Sequence, residues 1–133
     1  DLHLSIRRQR QMCIRDRDIV PVSLALAQAA KETGWGTSRF AQQGNALFGQ
    51  WTWSGEGLKP KDAEKNEGHK VMKFNVLQAS VRAYQRNINT HSSYEDFRLA
   101  RAKLRDLGEP LDSMILSEYL DKFLLSSSLF NLL

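Results

Sequence analysis

The sequence lacks most of the elements that hold small proteins together or anchor them. It has a single cysteine, Cys13, which excludes a framework of disulfide bonds. No apolar run approaches the roughly 20 residues of a membrane-spanning helix. No apolar run of about 7–15 residues follows the arginine-rich start, as it would in a signal peptide. The three histidines, His3, His69 and His91, lack the spacing of metal ligands, and we expect no metal and no other cofactor.

The positive charge of the chain is confined to its start. The formal net charge is +4, and residues 1–17 hold five arginines against two aspartates. The remainder of the chain is therefore close to neutral. Since the body of the chain carries no basic patch, we expect no nucleic-acid partner.

The two ends differ in character from the middle of the sequence. Residues 5–17 are similar to the peptide that results when a sequencing-library adapter is translated. We hypothesise that residues 1–17 are not native protein, and a disordered basic arm is the alternative. Residues 124–133 carry no charged side chain and either finish a helix or are also non-native. This leaves 18–123 as one domain.

An apolar, alanine-rich segment predicts the first helix. Pro21 suits the first turn of a helix, and Gly34 is a plausible stop. Glu32 falls in the last turn, where a carboxylate opposes the helix dipole. The residues predicted to form the packed stripe of this helix are Val22, Leu26, Ala29, Ala30 and Thr33.

The middle of the chain predicts short and irregular elements. Thr37–Gln43 suits a short helix that Gly44 ends, and the aromatic segment Asn45–Trp53 suits a strand or an ordered loop. Residues 54–70 are polar and rich in turn formers, which predicts a loop or hairpin. A short strand is predicted at residues 71–74.

Three further amphipathic helices are predicted. The capping-box pair Ser92 and Glu95 precedes the second of them, which ends at Gly108, and the third begins near Leu111. Their predicted inward positions are Leu77, Val81, Tyr84 and Ile88; then Phe97, Ala100 and Leu104; then Ile115, Tyr119 and Phe123. The fold class is therefore α+β, mostly helical, with a small β-hairpin element.

The most specific part of the sequence is AQAAKETGWG at residues 27–36, followed by GNALFGQW at residues 44–51. The two segments resemble the glucosaminidase family of peptidoglycan hydrolases (glycoside hydrolase family 73), which includes flagellar-rod muralytic domains and autolysins. The family pattern is Ala-Gln-(Ala/Ser)-Ala-x-Glu-(Ser/Thr)-Gly-Trp-Gly, followed by an asparagine and Phe-Gly. The lead-in from Pro21 and the Trp-Thr-Trp continuation most resemble the Bax-type branch, and the resemblance covers about residues 18–122.

The resemblance implies a lysozyme-like α+β fold that acts on β-1,4-linked amino sugars, with Glu32 as the catalytic acid. Elementary chemistry agrees, because a glycosidic oxygen is a poor leaving group until it is protonated. A carboxyl group holds that proton near neutral pH only if its pKa is raised. An apolar helix end beside Trp35 would raise the pKa by desolvation. The alternative is a solvated glutamate paired with Lys31 or Arg39.

A second carboxylate is expected from the polar segment at residues 54–70. Glu67 lies just before the predicted strand and is the first candidate, and Glu64 is the second. The separation of this group from Glu32 would distinguish a nucleophile from a base that activates water. A third route uses the N-acetyl oxygen of the substrate, which needs no close second carboxylate.

The substrate-binding residues are expected among the motif and aromatic side chains. Aromatic rings can stack on the apolar faces of sugars, and the alternation in residues 51–53 would place both tryptophans on one wall of a strand. Tyr84 and Phe48 could equally belong to the core. The full set of expected sugar-contacting residues is Trp35, Asn45, Phe48, Trp51, Trp53, Tyr84 and Tyr94.

Three functions fit these features. The first is hydrolysis of peptidoglycan after N-acetylglucosamine by a monomeric enzyme of the periplasm or cell envelope, a location inferred from the substrate. The second is lytic transglycosylation, whose typical members have Glu-Ser-x-Phe where this chain has Glu32-Thr-Gly-Trp. The third is a non-catalytic glycan-binding domain, which would tolerate loss of Glu32.

Overall fold

The computed structural model describes residues 17–60, 68 and 70–127 of the chain. The described residues are mostly helical with a small antiparallel sheet, which confirms the α+β class. The chain divides into two compact units, one of Asp1–Leu24 with Gln85–Leu133 and one of Ala25–Tyr84. The elements are α1 (Val22–Thr33), α2 (Arg39–Gly44), β1 (Trp51–Thr52), β2 (Gly57–Leu58), β3 (Lys70–Met72), α3 (Leu77–Thr90), a 3₁₀ turn (Ser92–Tyr94), α4 (Glu95–Asp106) and α5 (Ser113–Ser127).

Helix α1 ends at Thr33, directly before Gly34, as predicted from the sequence. Gly34 has φ +55°, and the N–H of Trp35 donates to the carbonyl of Ala30 at 2.8 Å. This six-residue bond, with a glycine in the left-handed conformation, is the Schellman motif that satisfies the last carbonyls of a helix. Trp35 is itself left-handed, with φ +59°. The turn therefore reverses the chain directly after Glu32.

The predicted buried stripe of α1 was wrong in its first half. Val22 and Leu26 are 74% and 65% exposed, whereas Leu24 is buried. Residues two apart lie on nearly opposite sides of a helix, about 200° around its axis. The apolar residues at the start of α1 therefore lie on two nearly opposite faces, and the face that carries Leu24 is the buried one.

Helix α2 follows after a short link. Ser38 caps its start, since the Oγ accepts from the N–H of Ala41 at 3.1 Å. Asn45 ends the helix in the left-handed conformation, with φ +48°. The predicted short helix is thus present, displaced by two residues at its start.

The predicted small β element is, among the described residues, an antiparallel sheet of three strands. β3 lies between β1 and β2 and is antiparallel to both, so that Val71 faces Trp51 on one side and Leu58 on the other. The predicted strand at residues 71–74 begins one residue earlier and ends at Met72. Because β1 ends at Thr52, Trp53 lies outside the sheet and is 78% exposed. The prediction that both tryptophans line one strand was therefore wrong.

The Ala25–Tyr84 unit encloses a small core of mixed character. Ser80 is fully buried on α3, and its Oγ accepts the N–H of Leu47 at 3.1 Å. This bond satisfies a polar group that would otherwise be costly to bury. The described buried residues of this unit are Thr33, Ala41, Gly44, Ala46, Thr52, Val71, Ser80 and Tyr84.

The predicted inward face of α3 was only partly correct. Tyr84 and Ile88 are buried, but Leu77 and Val81 are 52% and 42% exposed. The buried positions Ser80, Tyr84 and Ile88 follow a strict four-residue spacing along the helix. A serine thus occupies the position that apolar patterning assigned to a neighbouring valine.

Helix α5 packs on α4 through a face one residue away from the predicted one. Leu116 and Leu120 are buried, whereas Ile115 and Tyr119 are 46% and 37% exposed. A shift of one position along a helix rotates the buried face by about 100°. Asp112 caps this helix by accepting the N–H of Met114 at 2.7 Å, close to the predicted start. The side chain of Phe123 and the residues beyond 127 lie outside the described part of the chain.

Helix α4 begins without the predicted capping box. Ser92 instead opens the 3₁₀ turn, which His91 caps by accepting the N–H of Ser93 on its Nδ1 at 3.2 Å. No side chain caps α4 at Tyr94. Phe97 is fully buried, as predicted, while Ala100 and Leu104 are half-buried.

A buried arginine organises the other unit. Arg101 of α4 is fully buried and donates to the carbonyls of Asp18 and Ile19 at 3.1 and 3.2 Å and to Asn89 Oδ1 at 2.7 Å. Arg105 pairs with the Asp18 carboxylate at 2.9 Å. Burial raises the pKa of Asp18, but the hydrogen bond from Arg105, the Ile19 N–H and the two arginine charges together hold that pKa below its ordinary value. Asp18 therefore stabilises the fold above its unfolded pKa, and this contribution is lost as pH falls through its lowered folded pKa.

No helix in the described ranges is long and apolar enough to cross a membrane. Among the same residues no group of three or more His, Cys, Asp or Glu side chains could hold a metal ion. Most of the two end segments, 1–16 and 128–133, lies outside the description, while residues 124–127 belong to α5.

Candidate active site

Glu32 lies in the last turn of α1 and is half-buried. Burial raises the pKa of its carboxyl group, and the charge of Lys31 opposes the rise only partly. The negative end of the helix dipole acts in the same direction as burial, since it disfavours a carboxylate at a helix C-terminus. Within the described ranges no hydrogen bond reaches this carboxyl group. Glu32 therefore has the environment of a carboxylic acid that keeps its proton to a higher pH than an ordinary glutamate does.

The alternative of a glutamate paired with Arg39 is not what the structure contains. The Arg39 guanidinium donates to the carbonyl of Lys59 at 2.5 Å and lies over the ring of Phe40, 5.0 Å from its centroid. The Arg39 charge is thus used elsewhere in the same unit. Lys31 is the charged neighbour that acts on Glu32.

Gly49 lies directly beside the Glu32 carboxyl group. A Cβ at this position would stand 3.4 Å from Glu32 Oε2, and the residue has φ +56°. The positive φ favours glycine, because a left-handed backbone strains other residues, and the 3.4 Å distance is an ordinary van der Waals contact. The Phe-Gly part of the sequence motif is therefore placed against the glutamate of its first part.

Phe48 and Tyr84 form a stacked pair behind this contact. Their ring centroids are 3.9 Å apart at an interplanar angle of 12°. Tyr84 is buried, and its hydroxyl donates a hydrogen bond to Gln28 Oε1. Gln28 precedes Glu32 by four residues, so both side chains project from one face of α1. Tyr84 therefore belongs to the core, and its hydrogen-bond partner Gln28 lies one helical turn from the candidate acid. Its contact with sugar stays a prediction.

Two of the three tryptophans are exposed. Trp35 follows Glu32 directly and is 87% exposed, and Trp53 follows β1. Trp51 is half-buried in β1. Asn45 caps α2, and its amide donates to the carbonyl of Phe74 at 2.9 Å, which gives it a clear structural role.

The remaining expected site residues are one residue of the other unit and two that the structure does not describe. Tyr94 belongs to the other unit, where it is buried and meets His91 edge-on at 6.3 Å. Glu64 and Glu67 lie outside the described residues. Glu56, from the same polar segment, is exposed, and its backbone carbonyl accepts the N–H of Lys73 at 3.3 Å.

Comparison with known proteins now decides the family. The sequence profile of the glucosaminidase family, described as mannosyl-glycoprotein endo-beta-N-acetylglucosaminidase, matches residues 10–122. The chain belongs to the glucosaminidase family. This domain is accordingly of a glycan-hydrolase type, and the resemblance seen in the sequence is confirmed.

A curated relative supports the same branch of the family. The glucosaminidase domain is 40% identical to Protein bax of Escherichia coli (strain K12) over 88 residues. The match covers 66% of this chain and 31% of the relative, so the chain spans about a third of that protein. No solved structure matches the chain.

Sequence reasoning did not identify Gln28 or Gly49 of this glucosaminidase domain as site residues, although both lie within the motif. The four-residue spacing between Gln28 and Glu32 was available as a signal. The partner of Gln28, however, comes from 56 positions further along the chain. Only the packing of α1 and α3 within the Ala25–Tyr84 unit reveals it.

Proposed function

We propose that this domain hydrolyses the β-1,4 glycosidic bond that follows N-acetylglucosamine in peptidoglycan glycan strands, with Glu32 as the general acid. The observation that carries the proposal is the half-buried Glu32 at the end of α1, whose pKa is raised by burial. Such a group donates a proton to the leaving oxygen at a pH where ordinary carboxyls are ionised. Family membership supports the reaction class, and the bond cleaved is our proposal.

The surroundings of Glu32 support access for a sugar. Gly49 places no side chain beside Oε2, so the space that a Cβ would fill adjoins the acid. The exposed ring of Trp35 follows the acid by three positions and is free to stack on a pyranose face. Trp53 is the second exposed ring, and we assign sugar contacts to these two tryptophans before Trp51.

The second carboxylate of the reaction is proposed to be Glu67, with Glu64 as the next candidate. In glycosidases a separation of about 5–5.5 Å from the acid goes with a nucleophile, and about 6.5–9.5 Å goes with a water-activating base. If both Glu67→Gln and Glu64→Gln retain cleavage, the N-acetyl oxygen of the substrate supplies the nucleophile instead. Because peptidoglycan is the substrate, we place the enzyme in the periplasm or cell envelope, acting as a monomer.

The test is digestion of purified peptidoglycan by the full chain and by Glu32→Gln, with products identified by mass spectrometry. We expect reducing-end N-acetylglucosamine from the full chain and a loss of about 10²–10⁴-fold in rate for Glu32→Gln. Glu118→Gln, at an exposed glutamate of α5, is the matched control and should cleave as the unmodified chain does. Circular dichroism establishes that each variant is folded.

Other products would assign a different reaction. Anhydro-muramyl ends would move the domain to the lytic transglycosylases, which release the same strands without adding water. A folded chain that leaves peptidoglycan intact but sediments with it would be a glycan-binding domain. Full activity of Glu32→Gln would remove Glu32 from the role of acid.

A further inference from the structure

Three contacts and two connections along the chain form a closed circuit that begins and ends on α1. Gln28 accepts the hydroxyl of Tyr84, and the ring of Tyr84 stacks on Phe48 at 3.9 Å. The next residue along the chain, Gly49, lies against the carboxyl group of Glu32. Glu32 is one helical turn from Gln28, which closes the circuit. All five residues belong to the Ala25–Tyr84 unit.

We propose that Gln28 is a positioning residue for the proposed glycosidase reaction. It acts through Tyr84 and Phe48 to hold Gly49 against the carboxyl group of Glu32. The proposal rests on the proposed function. Gln28 lies one helical turn before Glu32 on α1. Its effect is transmitted by the hydroxyl of Tyr84, which it holds in one direction.

The physical reason is that the hydrogen bond to Gln28 fixes the orientation of a buried ring. Tyr84 is 6% exposed, and its hydroxyl donates to Gln28 Oε1. Removing either partner of this bond releases the ring from that orientation. Since Phe48 stacks on that ring and is bonded to Gly49, a shift of Tyr84 carries the glycine away from Glu32.

A displaced Gly49 would let water reach the carboxyl group of Glu32. Desolvation is the main cause of the raised pKa of Glu32, and Lys31 is the charged group of the described residues that acts against it. Hydration therefore lowers that pKa, and the acid loses its proton at a lower pH. This outcome separates positioning from general stabilisation, because a change in stability alone leaves the folded-state pKa where it was.

The experiment follows Glu32 by ¹³C NMR titration of its side-chain carboxyl in the full chain and in two variants. Gln28→Met keeps the length of the side chain without the amide oxygen, and Tyr84→Phe keeps the ring without the hydroxyl. Gln85→Met is the matched control, since Gln85 adjoins Tyr84 on α3 and is exposed. We expect Gln28→Met and Tyr84→Phe each to lower the pKa of Glu32, and Gln85→Met to leave it unchanged.

The double variant Gln28→Met/Tyr84→Phe gives the decisive comparison. Because both single changes break the same hydrogen bond, the double variant should lower the pKa no further than the larger single effect. The peptidoglycan assay should show a loss of roughly tenfold in kcat/KM for either single variant, the size expected for one buried hydrogen bond. The basic limb of the pH profile should move to lower pH in parallel.

The outcomes separate the two proposals. An unmoved Glu32 pKa in folded Gln28→Met and Tyr84→Phe overturns the positioning role, whether or not the chain cleaves peptidoglycan. Additive losses in the double variant overturn it as well. A chain that never cleaves peptidoglycan, but whose Glu32 pKa responds as expected, would contradict the proposed function and leave the positioning of Glu32 established. If Gln28→Met fails to fold, Tyr84→Phe decides the outcome alone.

Discussion

Glu32 is held in a position that opposes its ionised form. A helix C-terminus and a half-buried location both raise the free energy of the carboxylate relative to the acid. A protein that keeps a carboxyl group in such a place sacrifices stability at neutral pH. At the residue scale, the candidate general acid is therefore also a residue that destabilises the fold, as is common where pKa values are tuned for catalysis.

We expect Glu32→Gln to raise the free energy of unfolding at neutral pH. The folded-state pKa is raised above the unfolded one, so the folded state binds more protons between them and loses stability as pH rises through that window. The cost is fully present above the folded pKa and absent below the unfolded pKa. Urea denaturation followed by circular dichroism at pH 3 to pH 8 should therefore show a gain from Glu32→Gln that disappears in acid.

The control for this measurement is Glu118→Gln on α5, at an exposed position. It should change the unfolding free energy little across the same range. A Glu32→Gln variant that is less stable than the unmodified chain at neutral pH would show that the carboxylate has a stabilising partner.

At the scale of elements, helix existence follows from local sequence and helix orientation does not. Gly34 and Gly108 mark the ends of α1 and α4 because both adopt the positive φ that helix termination favours, +55° and +72°. The buried face of α5 was displaced from the predicted one, and those of α1 and α3 were predicted only in part. In α1 and α5 the apolar residues are numerous enough to form more than one face, and in α3 a buried serine takes the place of an apolar residue.

The face of α5 can be tested by two alanine substitutions at adjacent residues. Leu116→Ala should lower the free energy of unfolding by about 2–4 kcal/mol, because Leu116 is fully buried. Ile115→Ala should cost less than about 1 kcal/mol, because Ile115 is 46% exposed. Urea denaturation of both variants gives the comparison. Equal losses, or a larger loss for Ile115→Ala, would restore the predicted face.

At the scale of the whole molecule, Arg101 joins parts of the chain that lie 83 and 12 positions away. Its guanidinium donates hydrogen bonds to the carbonyls of Asp18 and Ile19, which precede α1, and to the side chain of Asn89 on α3. Backbone carbonyls that leave water need donors, and one planar guanidinium supplies several in fixed directions. This buried cation thus connects the segment before α1 to α4 by hydrogen bonds.

We expect Arg101→Met to lower the free energy of unfolding by about 3 kcal/mol. The substitution keeps an unbranched side chain but leaves three part-buried acceptors without this donor. Lys103→Met, at an exposed position of the same helix, is the matched control and should stay within about 0.5 kcal/mol of the unmodified chain. Chemical denaturation of the unmodified chain and the two variants measures these changes. An unfolding free energy that Arg101→Met leaves unchanged would show that the hydrogen bonds of Arg101 do not stabilise the fold.

The sequence by itself determined the family, the class of fold, the candidate acid and most helix ends. Each of these depends on a contiguous motif or on the local conformational preference of a few residues, such as the glycine that follows α1. The tertiary structure alone decided which helix faces are buried, the order of the strands, and the partners of Gln28 and Arg101. These features depend on contacts between side chains that are distant in sequence, and no local preference distinguishes a glutamine that orders a tyrosine from one that faces solvent.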